Sequence, residues 1–176
     1  IYQHFVAIAD QSPVPVILYN VPGRTSSNMS AQTTLRLAEH KNIIGIKEAS
    51  GNMEQCLEIA KHMPKDFLLI SGDDMWTLAL YALGAKGVIS VLANAYPLVF
   101  RGIKDYALAG QFSKAAKEQF RLFEINAPMY AEGNPVGIKY LLSELKVCTP
   151  HVRLPLLNDS EALQAKIINI QKKKKK

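Results

Sequence analysis

The sequence lacks any long hydrophobic run and has only two cysteines among its 176 residues. No apolar stretch approaches the roughly 20 residues that a transmembrane helix needs, and the N-terminus lacks the basic-then-apolar order of a secretory signal. The isolated residues Cys56 and Cys148 show neither disulfide nor zinc spacing, so both are interpreted as small buried side chains. The four histidines are scattered as well. We therefore expect a cytoplasmic protein without a bound metal.

The net positive charge is small outside the C-terminal tail. The formal net charge is +6, but the lysine run 172–176 supplies five of those charges and leaves +1 for the remainder. Nucleic-acid binding requires a basic patch, so no nucleic-acid partner is predicted. The lysine run itself predicts a disordered, solvated tail. No GxGxxG motif and no Walker motif occurs, which removes the usual support for a nucleotide-binding fold.

Hydrophobic residues make up 48% of the sequence, which predicts a protein with a substantial core. Four short runs are rich in β-branched and apolar residues, and each predicts a parallel strand. Because the runs are nearly continuously apolar, we expect both faces of the sheet to be covered. The four predicted strands are Val14–Tyr19, Ile43–Lys47, Phe67–Ser71 and Gly87–Val91.

Helical patterns lie between these strands, and only helical patterns follow them. The alternation predicts an α/β chain made of four βα units, followed by a helical region. The predicted organisation is a partial barrel at residues 1–93, a helical appendage at 94–171 and the tail at 172–176. The predicted helices are one around Phe5, then Ser30–Glu39, Asn52–His62, Asp74–Leu83, Tyr96–Leu108, Gln111–Ile125, one that opens at Asn134 and Pro135, and Ser160–Ile170.

Two architectures accommodate four βα units, and periodicity does not decide between them. One is an open, doubly wound sheet, and the other is half of an eight-stranded barrel, which normally needs about 250 residues. In both architectures, functional side chains gather at the carboxyl ends of the strands.

Lys47 is the unusual residue at these strand ends. Strand alternation places its side chain on the same face as Ile43 and Gly45, which we expect to be the interior. Removal of an ammonium group from water favours the neutral amine, and a neutral amine can attack a carbonyl to form a Schiff base. The alternative is an ordinary strand-end lysine that points into solvent.

Two further residues suit the same chemistry. Tyr19 ends the preceding strand, where its phenol would relay a proton to an imine intermediate, although a core tyrosine is the commoner role. Arg24 lies in the following loop, and its planar guanidinium can grip a carboxylate through two parallel hydrogen bonds. Arginine on a protein surface more often has no such role.

Four segments together give a specific resemblance. They read YNVPGRT from Tyr19, GIKEASG from Gly45, SGDD from Ser71 and GVISV from Gly87. In this order they closely resemble the dihydrodipicolinate synthase family, and the similarity extends from about residue 1 to residue 157.

The resemblance implies the C-terminal half of a TIM (β/α)₈ barrel and a class I, Schiff-base lyase activity. Lys47 would form an imine with pyruvate, whose enamine attacks L-aspartate semialdehyde to give 4-hydroxy-tetrahydrodipicolinate for lysine and diaminopimelate biosynthesis. Tyr19 would relay protons, Arg24 would bind the semialdehyde carboxylate, and Gly72 and Ile89 would line the pyruvate pocket. No cofactor is implied, and the full-length form would be a homo-oligomer, a tetramer in the family.

The sequence departs from the family at its N-terminal side. The family's first four βα units are absent, including the loop that binds the pyruvate carboxylate, so we expect a fragment that is inactive or nearly so alone. Two alternatives remain open. One is another pyruvate-dependent aldolase of the N-acetylneuraminate lyase superfamily, and the other is a non-catalytic half-barrel that binds a partner through its exposed strand edges.

Overall fold

The computed structural model of the chain describes residues 1–174. It divides into two compact units, of which the first comprises Ile1–Ile89 and the second begins at Ser90. The predicted boundary after residue 93 lies four residues further along the chain. None of the helices found within residues 1–174 has the length and apolar character required to cross a membrane.

The first unit alternates helices with strands of a four-stranded parallel sheet, as the sequence predicts. The strands lie in the order β1-β2-β3-β4, so each strand pairs with the next one along the chain. The elements are α1 Tyr2–Gln11, β1 Val16–Asn20, α2 Pro22–Thr25, α3 Ala31–Ala38, β2 Ile43–Glu48, α4 Met53–His62, β3 Leu68–Ser71, α5 Thr77–Ala82 and β4 Gly87–Val88.

Side-chain caps set two of these helix starts. Ser30 and Asn52 cap α3 and α4 by accepting hydrogen bonds from backbone N–H groups three residues later, which confirms both predicted starts. The helix predicted from Asp74 begins only at Thr77, because the Asp73 carboxylate accepts from the Met75 N–H and holds a turn there. The short helix α2 was not predicted, since a single turn leaves no periodicity to detect.

The helices of the first unit cover one face of the sheet. Leu18, Ile46 and Leu69 are fully buried on that face, packed against apolar side chains of α3, α4 and α5. On the other face Ile17 and Tyr19 remain 41% and 43% exposed. The prediction that both faces are covered is therefore wrong for this unit. Burial alternates along β1, in the pattern expected of a sheet packed on one side.

An irregularity near the start of β1 and β2 changes which residues share a face. Val16 pairs with Ile43 but Ile17 pairs with Gly45, so the register skips Ile44. Ile43 consequently packs in the same buried cluster as Ile46, and Ile44 is partly exposed. The prediction that Ile43 lies on the face of Lys47 is wrong, because such a bulge breaks simple alternation.

The described residues of the second unit form helices and turns. Its elements are a 3₁₀ turn at Leu92–Asn94, α6 Pro97–Leu108, α7 Phe112–Phe120, α8 Phe123–Asn126, a 3₁₀ turn at Ala127–Met129, α9 Val136–Glu144 and α10 Glu161–Lys174. The helix predicted over Gln111–Ile125 is two helices, because the N–H groups of Arg121 and Leu122 bond three residues back and tighten the chain into a turn. Cys148, predicted to be buried, is exposed.

The helix α10 carries the start of the lysine run. Ser160 caps it by accepting from the Leu163 N–H, and the Glu132 carboxylate accepts from the Ser160 N–H at 2.9 Å. The helix continues through Lys174, so the predicted disorder is wrong for residues 172–174; lysine is a good helix former and its charge suits a helix C-terminus. The rest of the predicted tail, residues 175 and 176, lies outside the described residues.

Candidate active site

Lys47 and Tyr19 meet at the carboxyl ends of β1 and β2. The two residues are direct partners in the parallel register, and the Lys47 Nζ atom lies 3.9 Å from the centroid of the Tyr19 ring. Lys47 is half-buried, whereas the sequence predicted an interior position. The negative face of a phenol ring attracts a cation, whether that cation is an ammonium or an iminium. The two predicted catalytic side chains are therefore in contact.

Gly72 contacts the stem of Lys47 directly. A Cβ atom at this position would lie 2.7 Å from the Ala49 Cβ and 3.0 Å from both Cγ and Cε of Lys47. These separations are shorter than van der Waals contact, so only glycine fits without displacing a neighbour. The Gly72 N–H also donates to the Glu48 carbonyl at 2.8 Å and extends the pairing of β2 with β3. Gly72 thus forms a wall against which the lysine chain lies.

Ile89 extends the pairing between β3 and β4. Its N–H donates to the Ser71 carbonyl at 2.9 Å, and the residue is 48% exposed. Because Lys47 pairs with Ile70 and Ile70 pairs with Gly87, Ile89 lies two strands away from the lysine along the sheet. Its role in lining a substrate pocket stays a prediction.

Arg24 lies in the short helix α2, immediately after β1. Its N–H donates to the Val21 carbonyl at 2.9 Å, and its side chain is exposed. Within residues 1–174 its guanidinium makes neither a hydrogen bond nor a salt bridge to another side chain. The five donors of this group are therefore available to an anionic ligand.

A buried polar network, which was not predicted from the sequence, lies beneath these residues on the covered face. Glu48 and Asn20 are each 1% exposed. The Asn20 Nδ2 group donates to both carboxylate oxygens of Glu48, at 3.2 and 3.0 Å. The Gln55 Nε2 group and the Ser50 N–H donate to the same carboxylate at 3.0 and 2.7 Å. The available signal was a polar residue directly following Tyr19 and Lys47 at the end of each apolar strand.

The same network closes the loop that carries Arg24. The Asn20 Oδ1 atom accepts from the Met29 N–H at 2.9 Å, and Asn20 Nδ2 also donates to Asn28 Oδ1 at 2.9 Å. Gln55 Nε2 donates to the Met29 carbonyl, and Gln55 Oε1 accepts from Asn28 Nδ2. The segment 21–28 is therefore held at both ends by buried amide groups.

Cys56, on α4, lies close to this network and is not a candidate nucleophile. Burial raises the pKa of its thiol to about 12, and the nearby Glu48 carboxylate acts in the same direction. A protonated, buried thiol is unreactive. In the described part of the chain, no group of three or more His, Cys, Asp and Glu side chains is arranged to hold a metal ion.

Comparisons with known proteins agree with the resemblance drawn from the motifs. The sequence profile of the Dihydrodipicolinate synthetase family matches residues 1–174. The 4-hydroxy-tetrahydrodipicolinate synthase of Cytophaga hutchinsonii is 51% identical over 167 residues, which cover 95% of this chain and 56% of that protein. The chain thus spans about half the length of the curated relatives that it matches.

Solved structures give the same result. A structure described as the first monomeric dihydrodipicolinate synthase variant superposes with a TM-score of 0.94 at 31% identity, over 99% of this chain and 59% of that one. The chloride-inhibited dihydrodipicolinate synthase of Acinetobacter baumannii in complex with pyruvate gives a TM-score of 0.92 at 35% identity, over 97% of this chain and 59% of that one.

Proposed function

The chain belongs to the dihydrodipicolinate synthetase family, and we propose that it supplies the catalytic half of an enzyme that condenses pyruvate with L-aspartate semialdehyde. The observation that carries the proposal is the contact between the Lys47 amine and the Tyr19 ring at the strand ends. A relative with bound pyruvate and a TM-score of 0.92 supports pyruvate as the first substrate.

The proposed reaction begins with the Lys47 amine. The neutral amine attacks the keto carbon of pyruvate, and loss of water leaves an imine on Nζ. Loss of a methyl proton gives an enamine, whose carbon attacks the aldehyde of the second substrate. The amino group of that substrate then attacks the imine carbon, which frees Lys47 and closes the ring of 4-hydroxy-tetrahydrodipicolinate. The iminium serves as the electron sink, so we propose no cofactor.

The neighbouring residues have distinct proposed roles. The Tyr19 hydroxyl relays protons during formation of the imine, and its ring face steadies the positive charge on Nζ. The exposed Arg24 guanidinium binds the carboxylate of the semialdehyde as a bidentate pair. Gly72 keeps the lysine stem in place, and Ile89 lines the pyruvate pocket. A product of this kind serves lysine and diaminopimelate synthesis, for which we propose a cytoplasmic location.

We further propose that the first unit is the C-terminal half of a (β/α)₈ barrel. Its open sheet face carries Ile17, Tyr19 and Lys47, and in a closed barrel such a face lines the interior. The assembled enzyme is proposed to be a tetramer. Because the monomeric variant has the same fold, the fold alone does not require a tetramer. Sedimentation equilibrium of the assembled enzyme would test the proposed tetramer.

Borohydride trapping tests the assignment of Lys47. We expect pyruvate plus borohydride to leave a stable adduct on Lys47 of the assembled enzyme, found by peptide mass mapping. Lys41→Ala is the matched control, because Lys41 is an exposed lysine that precedes the same strand. The control should retain the adduct, and Lys47→Ala should lose it. An adduct on a different lysine would refute the proposal.

A further inference from the structure

Two consecutive cross-strand pairs end β1 and β2. The register pairs Tyr19 with Lys47, and it pairs Asn20 with Glu48 in the next position. Because successive side chains of a strand point to opposite faces, the first pair lies on the open face and the second on the covered face. The backbone links the two pairs, so a change of register at one pair is a change at the other.

Buried hydrogen bonds restrict the geometry of the Asn20–Glu48 pair. Glu48 is a buried carboxylate with three donors, the Asn20 amide, the Gln55 amide and the Ser50 N–H. All three donors are neutral, and within residues 1–174 no lysine, arginine or histidine forms a salt bridge with Glu48. A buried carboxylate without a counter-charge is tolerated only when its hydrogen bonds are made, so loss of any donor is costly.

Asn20 extends this restraint to the loop 21–28, which we term the Arg24 loop. The amide accepts from the Met29 N–H and donates to Asn28 Oδ1, so it holds the far end of the loop beside the end of β1. The amide that holds Glu48 therefore also closes the Arg24 loop. The pair thereby connects to Tyr19, to Lys47 and to the loop that carries Arg24.

We infer that Asn20 and Glu48 form a positioning pair, which holds the Tyr19 ring against the Lys47 Nζ atom and fixes the base of the Arg24 loop. Because both residues are 1% exposed, we assign neither of them a contact with substrate, and each acts through the neighbour that precedes it in its strand. A catalytic role for the pair rests on the proposed function, because the position of Lys47 affects the reaction only if Lys47 forms the imine.

An NMR measurement on the 176-residue chain tests the inference without any substrate. The Lys47 Nζ atom lies 3.9 Å from the centroid of the Tyr19 ring, so we expect the ring current to shift the neighbouring Hε resonance of Lys47 upfield. Glu48→Gln preserves side-chain size but turns one acceptor into a donor that faces other donors. We expect this variant to lose at least about half of the shift, and amide hydrogen exchange in the Arg24 loop to accelerate roughly tenfold.

Ile46→Val is the matched control. Ile46 is fully buried on the same face of β2, two residues before Glu48, and the substitution removes one methyl group without touching the network. It lowers stability, yet we expect it to leave the Lys47 shift and the exchange of the loop unchanged. An equal loss of shift in Ile46→Val and Glu48→Gln would mean general loosening and would overturn the inference.

An exchange of the two groups provides a rescue. Asn20→Asp alone brings two carboxylates together and should lose the shift, because neighbouring like charges oppose each other. The double variant Asn20→Asp with Glu48→Gln restores an amide–carboxylate pair across the strands and should recover at least about half of the shift. Failure of this recovery would contradict the pairing, and so would a full shift in both single variants.

The outcomes separate this inference from the proposed function. If trapping with pyruvate places no adduct on Lys47 while the NMR results hold, the proposed reaction fails and the positioning pair stands. Should Asn20→Asp fail to fold, the comparison of Glu48→Gln with Ile46→Val still decides the inference.

Discussion

The two faces of the four-stranded sheet differ although one backbone builds both. On the covered face Leu18, Ile46 and Leu69 have no exposed surface, and every polar contact of Glu48 is made inside the protein. On the open face Tyr19 is 43% exposed and Lys47 is half-buried. The covered face therefore supplies stability and fixes the register, and the open face presents chemical groups at the positions that this register dictates.

The largest difference should appear in thiol reactivity, which distinguishes buried from open parts of the molecule. Cys56 lies beneath the covered face with a pKa raised to about 12, whereas Cys148 is exposed. Only the thiolate reacts, and at pH 8 the thiolate fraction of Cys56 is very small. This alone should make Cys56 react roughly a thousandfold more slowly with a thiol reagent than Cys148. We expect one fast thiol in the native chain and two after denaturation. Two fast thiols in the native chain would show that the covered face is open to water.

Truncation of side chains on the two faces gives the next largest contrast. Leu69→Ala removes a fully buried side chain and should lower the free energy of unfolding by about 2–5 kcal/mol. Ile17→Ala, on the open face, should cost less than about 1 kcal/mol, because Ile17 is already 41% exposed. Urea denaturation of both variants measures the difference. Similar losses would mean that the open face is also covered in solution.

A glycine substitution measures the steric cost of a side chain beside Lys47. Gly72→Ala would bring a methyl group to 2.7 Å from Ala49 Cβ and to 3.0 Å from the Lys47 stem, and it should cost about 1–3 kcal/mol. Gly87→Ala is the matched control, because no heavy atom lies within 4 Å of the Cβ position there. Urea midpoints compare the two variants. A cost for Gly87→Ala as large as that for Gly72→Ala would refute the steric explanation.

The sequence predicted the covered face well, because local chemistry controls it. Capping by Ser30 and Asn52 set two helix starts, and the apolar runs located all four strands. The predictions were wrong at two irregularities that simple periodicity does not describe. The register shift at Ile44 places Ile43 on the covered face, and the Asx turn at Asp73 makes α5 begin later than predicted.

The candidate site was predictable only in part. Lys47, Tyr19 and Gly72 come together as their motifs indicate, because parallel strands bring their carboxyl ends to one edge. The Asn20–Glu48 pair was missed, since the partners are 28 positions apart and become neighbours only once the register is known. The polar residues that follow Tyr19 and Lys47 were a signal, but their burial follows only from the tertiary packing, which the sequence alone does not show.

The smallest expected effect is the energy of the Lys47–Tyr19 contact itself. A double-mutant cycle with Tyr19→Leu and Lys47→Met should give a coupling of about 0.5–1 kcal/mol, because both groups are partly in water, which weakens the attraction. The contact of Arg36 with the Tyr2 ring, at 4.1 Å, is a comparator remote from the proposed chemistry. Equal couplings at the two places would mean that the strength of a cation–π contact does not mark the site. Zero coupling for Lys47 and Tyr19 would mean that the open face does not hold the contact in solution, and the positioning of the amine would then need another cause.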